Sequence, residues 1–139
     1  MSGETDLAVL LRDMQPILDP ADYVFVSVAA GTIVDLEALQ PRGMYLEEEG
    51  TTLILRHDVA VAHGFAEAPV MRCITLSVHS SLQAVGLTAA FATALAKGGC
   101  SANVVAGFYH DHIFVAADQA GRAMEILTDL SKGEVHRRD

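Results

Sequence analysis

Three potential metal ligands are consecutive in the sequence, namely His110, Asp111 and His112. Imidazole and carboxylate groups are common ligands of divalent metals, so the segment is a candidate metal site or the centre of a metal-dependent enzyme. On a strand, however, Asp111 would face away from both histidines, and no second cluster completes the usual ligand set. An aspartate that bonds to the backbone of a hairpin turn explains the segment without a metal. Metal binding therefore stays the alternative interpretation.

Cys73 and Cys100 are the candidate nucleophiles. Neither is part of a CxxC motif, and both fall on or next to predicted core elements, where a free cysteine is usually a small buried residue. Glu47, Glu48 and Glu49 form a charge run beside a turn, which is typical of a solvated tip. The sequence contains no G-x-S-x-G, Walker or G-x-G-x-x-G motif. We therefore expect no catalytic activity, no cofactor and two reduced thiols.

Composition and charge narrow the class of protein. The chain has 139 residues, of which 51% are hydrophobic, enough for a core without metals or disulfides. Residues 1–66 hold eleven acidic residues against three Lys or Arg, and the remainder holds seven against six. Nucleic acids and anionic membranes are bound by clustered Lys and Arg, so neither is an expected partner. The apolar runs are too short to cross a bilayer, and the first residues lack a secretory signal, which predicts a cytoplasmic protein.

The strands and helices that must position the candidate residues are predicted in the same order twice along the chain. Residues 24–28 and 74–78 alternate apolar and more polar side chains, which predicts two half-buried strands. Residues 53–58 match residues 113–118 in having three apolar strand residues, two connecting residues and an Asp suited to cap a helix. Each matched segment is the second strand of a predicted hairpin, and Gly50 offers the positive φ of a tight turn in the first hairpin.

The predicted helices differ in length between the two copies. Leu87, Phe91 and Leu95 recur at helical spacing in the second copy, whereas the equivalent stretch of the first copy ends at Pro41 after at most two turns. Another helix precedes the first copy, and Pro16 and Pro20 mark its end; its apolar stripe consists of Leu7, Leu10, Leu11 and Met14. The order strand, helix, strand, strand, helix predicts an antiparallel sheet with helices on one face, the α+β class.

We divide the chain into residues 1–66, the N-terminal helix with a reduced first copy, and residues 67–139, a complete second copy. Units of this size are marginally stable alone, so the two copies are expected to pack side by side and to unfold in a single transition.

The pattern resembles the ACT domain, and more closely small bacterial proteins made of two ACT-like copies, akin to the regulatory domains of aspartate kinases. Its most specific segments are residues 75–82, 85–90, 103–105 and 109–115. The resemblance implies a ferredoxin-like fold and a non-catalytic regulatory protein that binds a small ligand, an amino acid. ACT-like sheets often extend across a two-fold axis, which implies a homodimer. A homodimeric interaction module without a ligand stays a further alternative.

The resemblance also implies a position for the ligand, at the loop that joins the first strand of the second copy to its first helix. Gly86 stands where ACT domains usually have a glycine, and the N–H groups that begin the helix would hold a carboxylate. Serines at this position also cap helices without any ligand. Gly31 gives the first copy only a loose glycine match, so at most one good loop is expected. The implied ligand-binding residues are His79, Ser80, Ser81, Val85, Gly86, Leu87, Thr88 and Asn103.

Overall fold

The part of the chain that the structure describes consists of helices and strands in the order that the sequence predicts. The structure is a computed structural model, and it describes residues 6–77 and 86–133. In chain order the elements are α1 (Leu7–Asp13), β1 (Pro16–Val28), α2 (Leu36–Leu39), β2 (Gly43–Leu46), β3 (Thr51–Arg56), α3 (His57–Ala62), β4 (Met71–Leu76), α4 (Leu87–Lys97), β5 (Asn103–Ala106), β6 (Asp111–Ala116) and α5 (Ala120–Ser131). The predicted order occurs twice, so the α+β class is confirmed. None of the helices in the described ranges is both long and apolar enough to span a bilayer.

The chain forms two compact units. Pro20–Met71 make up one, called the inner unit here, and Met1–Asp19 with Arg72–Asp139 make up the other, called the outer unit. The boundary falls within β1, whose first four residues belong to the outer unit. Proline lacks the N–H that a sheet ladder needs, and Pro20 stands where β1 leaves the outer unit.

The inner unit contains α2, α3 and strands in the order β2-β3-β1. β3 pairs antiparallel with β1, from Tyr23 opposite Arg56 to Val28 opposite Thr51, and antiparallel with β2. Because β3 is flanked on both sides, its apolar residues are deeply buried. They pack with side chains from β1, α2 and α3; the buried cluster is Val24, Leu39, Leu53, Leu55 and Ala60.

The structure requires glycine at position 50 for a different reason from the predicted positive φ of a tight turn. It is not among the glycines with positive φ. A Cβ at this position would lie 2.6 Å from both Ser27 Oγ and the Val28 carbonyl oxygen. The β2–β3 hairpin therefore needs glycine because β1 approaches its backbone closely, and the turn itself imposes no positive φ at this residue.

The outer unit contains α1, α4, α5 and strands in the order β1-β4-β6-β5. β5 and β6 form the predicted second hairpin, with Asn103 opposite Phe114 and Ala106 opposite Asp111. The predicted helix stripes supply much of the core, because Leu10, Met14, Phe91 and Leu95 are fully buried. The rest of this cluster includes Ile74, Leu76, Leu87, Ile113, Val115, Ala123, Ile126 and Leu127.

The prediction that Asp58 and Asp118 cap helices is wrong. α3 begins at His57, directly after β3, so Asp58 already lies in its first turn, where its carboxylate accepts a 2.9 Å hydrogen bond from the Val59 N–H. Asp118 lies within a 3-10 turn, Ala117–Gln119, that precedes α5. The side-chain caps lie elsewhere, since the Asp6 carboxylate accepts from Ala8 N at 3.0 Å and the Asp35 carboxylate accepts from Ala38 N at 3.0 Å.

Candidate functional site

Gly86 forms the N-terminal boundary of α4. Its backbone has φ +100° and ψ −20°, a conformation that favours glycine. Its carbonyl oxygen accepts a 2.8 Å hydrogen bond from Ala90 N, which begins the helical ladder. A Cβ at this position would also lie 3.1 Å from Cδ2 of Leu7 in α1. Both the backbone conformation and the proximity of α1 therefore favour glycine here.

The two residues after Gly86 present different groups to their surroundings. Leu87 is 3% exposed and belongs to the outer-unit core, so its side chain serves packing. Thr88 is exposed. The first-turn N–H groups of a helix have no intrahelical partner, and none of the described side chains caps α4. α4 also has no acidic residue in its first turn. This helix start therefore offers N–H donors beside an exposed hydroxyl group.

The structure brings together only part of the predicted ligand set. Gly86, Leu87 and Thr88 are adjacent at the start of α4. Asn103 lies at the start of β5, which β6 separates from β4 in the strand order. Its side-chain Nδ2 donates a 3.1 Å hydrogen bond to the carbonyl oxygen of Phe114. This bond links the two strands of the hairpin. The four other predicted residues lie outside the described ranges; they are His79, Ser80, Ser81 and Val85.

The geometry around His112 favours a structural role. Its Nδ1 lies 2.8 Å from the hydroxyl oxygen of Thr75 on β4, and its Nε2 would lie 3.2 Å from a Cβ at Gly107. Nδ1 is therefore engaged with β4, and the ring packs close to the backbone of Gly107. Within residues 6–77 and 86–133, no group of three or more His, Cys, Asp or Glu side chains is placed to hold a metal ion. The described residues give no support to a metal centre at His110, Asp111 and His112.

Burial raises the pKa of two side chains in the outer unit, Asp111 and Cys100. Desolvation raises the pKa of the Asp111 carboxyl, and the neighbouring His112 and His110 oppose that shift. Desolvation also raises the pKa of the Cys100 thiol, with the Arg122 guanidinium opposing it. Cys73 and Cys100 are both buried, and no disulfide joins them. A buried thiol with a raised pKa has little of the thiolate that nucleophilic chemistry requires.

The inner unit has an apolar cleft that was not predicted from the sequence. Its volume is about 340 Å³, and it lies beside the segment that leads from β1 to α2. Ile33 in this segment is 96% exposed. The apolar part of the lining includes Val28, Val34, Leu39, Leu53 and Phe65, with Asp35 and His63 among the polar residues. The loose glycine match at Gly31 gave no indication of it. The exposed Ile33 between strand and helix is the signal that could have identified it.

Two ACT-domain models match the sequence. One matches residues 2–72 and the other matches residues 70–129. A search of curated proteins gave no match. A crystal structure of a protein of unknown function from Vibrio cholerae, described as a possible transport protein, is similar to this chain. The two are 46% identical over 91% of this chain and 97% of that chain, with a TM-score of 0.81.

More distant structures share the fold. A protein from Agrobacterium tumefaciens is 12% identical, with 90% of this chain and 98% of that chain covered and a TM-score of 0.68. The regulatory subunit of aspartate kinase from Thermus flavus is 10% identical, with 83% of this chain and 95% of that chain covered and a TM-score of 0.60. The predicted likeness to regulatory domains of aspartate kinases is confirmed at the level of the fold. The chain belongs to the ACT-domain family and carries two ACT domains in tandem.

Proposed function

We propose that this chain is a non-catalytic regulatory protein that binds an amino acid at the start of α4. ACT domains are regulatory and typically bind amino acids. The observation that carries the proposal is Gly86, whose positive φ turns the chain into α4 without a side chain that would cover the first-turn N–H groups. We also place the protein in the cytoplasm and propose that it acts as a homodimer.

The electrostatics of α4 support a carboxylate ligand. α4 is eleven residues long, and the N-terminus of a helix carries a partial positive charge. α4 has no acidic residue in its first turn to offset that charge, as is also true of α1 and α5, whereas α2 and α3 have Glu37 and Asp58 there. The carboxylate of an amino acid would accept hydrogen bonds from the Leu87 and Thr88 N–H groups. The exposed Thr88 hydroxyl is a further donor.

The first ACT domain offers a second argument for a small amphipathic ligand. Its apolar cleft of about 340 Å³ lies at the equivalent position, between the first strand and first helix of that copy. This volume is within the range that small-molecule pockets occupy, about 300–1,000 Å³. The lining combines apolar side chains with the carboxylate of Asp35 and the imidazole of His63. We propose that such a cleft accommodates an aliphatic side chain better than a strongly charged one.

A titration with matched variants tests the proposal. Calorimetry and thermal shift with each of the twenty amino acids are expected to identify at least one ligand at millimolar concentration or below. Thr88→Glu places a carboxylate in the first turn of α4, where it competes with the ligand carboxylate while favouring the helix dipole. Affinity should fall about tenfold or more, equivalent to about 1.4 kcal/mol, with no loss of thermal stability.

The control is Thr93→Glu, because Thr93 is exposed on the same helix but lies beyond its first turn. This variant should bind as the wild-type protein does. Absence of a shift with every amino acid would contradict the proposal, as would equal affinity of the Thr88→Glu and wild-type proteins.

A further inference from the structure

The edge of the inner unit is β2, a strand that the described part of the chain leaves uncovered. β2 ends the strand order and pairs there only with β3. The Glu47 N–H donates a 3.0 Å hydrogen bond to the Gly50 carbonyl oxygen, so the backbone of Glu47 faces β3. Because such positions alternate along an antiparallel strand, Tyr45 also faces β3, whereas the N–H and C=O groups of Met44 and Leu46 point outward. Outward groups of this kind form a template for another strand.

The side chains of β2 are large, apolar and exposed. Met44, Tyr45 and Leu46 are 47%, 72% and 74% exposed. Met44 lies opposite the fully buried Leu53 of β3, so Met44 and Leu46 share the face of the sheet that carries the inner-unit core. Tyr45 points to the other face. Both faces of β2 therefore offer apolar surface beside the open edge.

Negative charge adjoins this apolar edge. Glu47, Glu48 and Glu49 follow β2 directly, and all three are exposed. None of them forms an ion pair within residues 6–77 and 86–133. The Arg42 guanidinium, which precedes β2, donates a 3.1 Å hydrogen bond to the Tyr23 hydroxyl and lies 5.7 Å from the centroid of that ring. The β2–β3 turn therefore retains the charge of its carboxylates.

We infer that β2 is the docking surface for a basic segment of another protein, which adds to the sheet as a strand and places Lys or Arg beside Glu48 and Glu49. Charge complementarity selects this occupant. The inner unit holds eight acidic residues against two arginines, so its field attracts a basic segment. A second copy of the chain would bring a second inner unit with the same excess of negative charge, which electrostatics disfavours.

The inference goes beyond the amino-acid site and does not depend on it. An added strand bonds to the outward N–H and C=O groups of Met44 and Leu46, which any extended chain can do. Its apolar side chains cover Met44 and Leu46 on one face and Tyr45 on the other, which removes apolar surface from water. Its basic side chains supply the selectivity. The kind of segment that this edge fits is one in which Lys or Arg alternates with apolar residues.

A synthetic peptide tests this inference in the absence of amino acids. The peptide has about eight residues, an ordinary length for a strand, with Lys and Val in alternation. Titration calorimetry is expected to give saturable binding with a dissociation constant of about 100 μM or below. A peptide with Glu in place of Lys has the wrong charge, and one with Pro in place of Val lacks the N–H groups of a strand. Each should bind at least about tenfold more weakly.

Hydrogen exchange locates the bound peptide. The amides of Met44 and Leu46 should exchange at least about tenfold more slowly when the peptide is bound, because their outward N–H groups gain a partner. The amide of Tyr45 already faces β3, so its exchange rate should change less. This measurement uses the wild-type protein and does not depend on the folding of any variant.

Two variants and a matched control test the role of charge and of the strand edge. Glu48→Lys reverses a charge beside the docked segment and should weaken binding about tenfold. Glu67→Lys makes the same change in net charge at an exposed position of the same unit, outside the β2–β3 hairpin, and should bind as the wild-type protein does. Leu46→Pro removes an outward N–H and should also weaken binding about tenfold. Circular dichroism confirms folding, and Glu48→Lys decides alone if the proline variant does not fold.

Three results would overturn the inference. The first is the absence of saturable peptide binding, or unchanged exchange at Met44 and Leu46. The second is equal weakening by Glu48→Lys and Glu67→Lys, which would show only a general attraction between opposite charges. The third is a wild-type dimer that Leu46→Pro dissociates, which would assign this edge to a second copy. Because no amino acid is present, none of these results bears on the α4 site.

Discussion

Gly86 and Gly50 show two different reasons for glycine in this chain. Gly86 has φ +100° and contacts α1, so both its conformation and its surroundings favour glycine. Gly50 has no positive φ and is required because β1 lies 2.6 Å from where its Cβ would be. The sequence indicates that glycine matters at both positions. Only the packing of α1 and β1 shows why, because those contacts come from residues distant in the sequence.

Replacing Gly86 by alanine should destabilise the protein. A residue with a Cβ in a left-handed backbone conformation costs about 1–2 kcal/mol, and the new methyl group would press on Leu7, 3.1 Å away. Denaturant unfolding measures the loss. The matched control is Gly121→Ala in α5, where a Cβ would meet nothing within 4 Å. That variant should be about 0.5–1 kcal/mol more stable than the wild-type protein. Equal effects of the two substitutions would contradict this account of Gly86.

The stability of the protein should depend on pH through the carboxyl group of Asp111, and replacing that group by an amide should remove this dependence. Desolvation raises the pKa of its carboxyl in the folded state, so the folded protein holds this proton more tightly than the unfolded chain does. The resulting stabilisation is complete below the unfolded pKa and is lost as the pH rises through the folded pKa. Asp111→Asn should therefore be more stable than the wild-type protein at neutral pH, with the difference shrinking in acid. Denaturant unfolding of both proteins across pH tests the sign, and a variant that is less stable at neutral pH would refute it.

At the level of elements, the hydrophobic periodicity predicted the hairpins well and the strand lengths less well. Both hairpins form, β2 with β3 and β5 with β6. β1, however, extends over Pro16–Val28, although only its last residues show strand alternation. The first part contains Pro16, Asp19 and Pro20. Because proline and aspartate are depleted in strands, the sequence does not predict a strand there. That part is held by β4, a partner that local sequence does not reveal; for example, the Arg72 guanidinium donates a 2.9 Å hydrogen bond to the Asp19 carbonyl oxygen.

The side chain of Asn103 should contribute to the β5–β6 hairpin. Its Nδ2 donates to the Phe114 carbonyl oxygen at 3.1 Å, and a bond of this kind contributes about 0.5–1.5 kcal/mol. Asn103→Ala should lower the free energy of unfolding by about that amount, measured with denaturant. Asn103→Asp should cost more, because its carboxylate would face the carbonyl oxygen without a donor. An alanine variant as stable as the wild-type protein would show that the bond contributes nothing.

At the scale of the whole molecule, the tandem plan was predicted correctly because each copy repeats the same pattern of strands and helices. The ACT-domain matches to residues 2–72 and 70–129 agree with that plan. The division of the chain at residues 66 and 67 stays a prediction about the two sequence copies. The outer unit is discontinuous in sequence, since α1 packs with the later elements. The similarity between the two copies does not indicate which elements a helix that precedes both of them packs against.

The two units should unfold together. Each has its own buried cluster, but β1 runs through both units without interruption. A unit as small as the inner one is marginally stable alone, because it buries a small fraction of the surface that its unfolded chain exposes. Differential scanning calorimetry is therefore expected to give one transition whose calorimetric and van't Hoff enthalpies agree at fixed protein concentration. Two separated transitions would show that the units fold independently.

The ligand-binding residues stay a prediction, and the two parts of it had different sources. Gly86 was identified through the resemblance to ACT domains, whereas the helix that follows it was identified from its apolar stripe. Asn103 was assigned to the ligand set, and the structure shows its carboxamide bonded within the hairpin. The apolar cleft of the inner unit was missed because it is formed by residues from β1, β3, α2 and the segment after α3. A cavity of that kind depends on tertiary packing, which periodicity does not encode.

The most direct test of amino-acid binding at α4 is an NMR titration of isotope-labelled protein with the amino acid that shifts its thermal stability most. The account predicts saturable changes in the backbone amide signals of Gly86, Leu87 and Thr88, because the N–H groups of Leu87 and Thr88 would bind the carboxylate and Gly86 directly precedes them. Amides at the far end of the same helix, near Lys97, should change least. Saturable changes confined to other parts of the chain, with these three amides unaffected, would contradict the account.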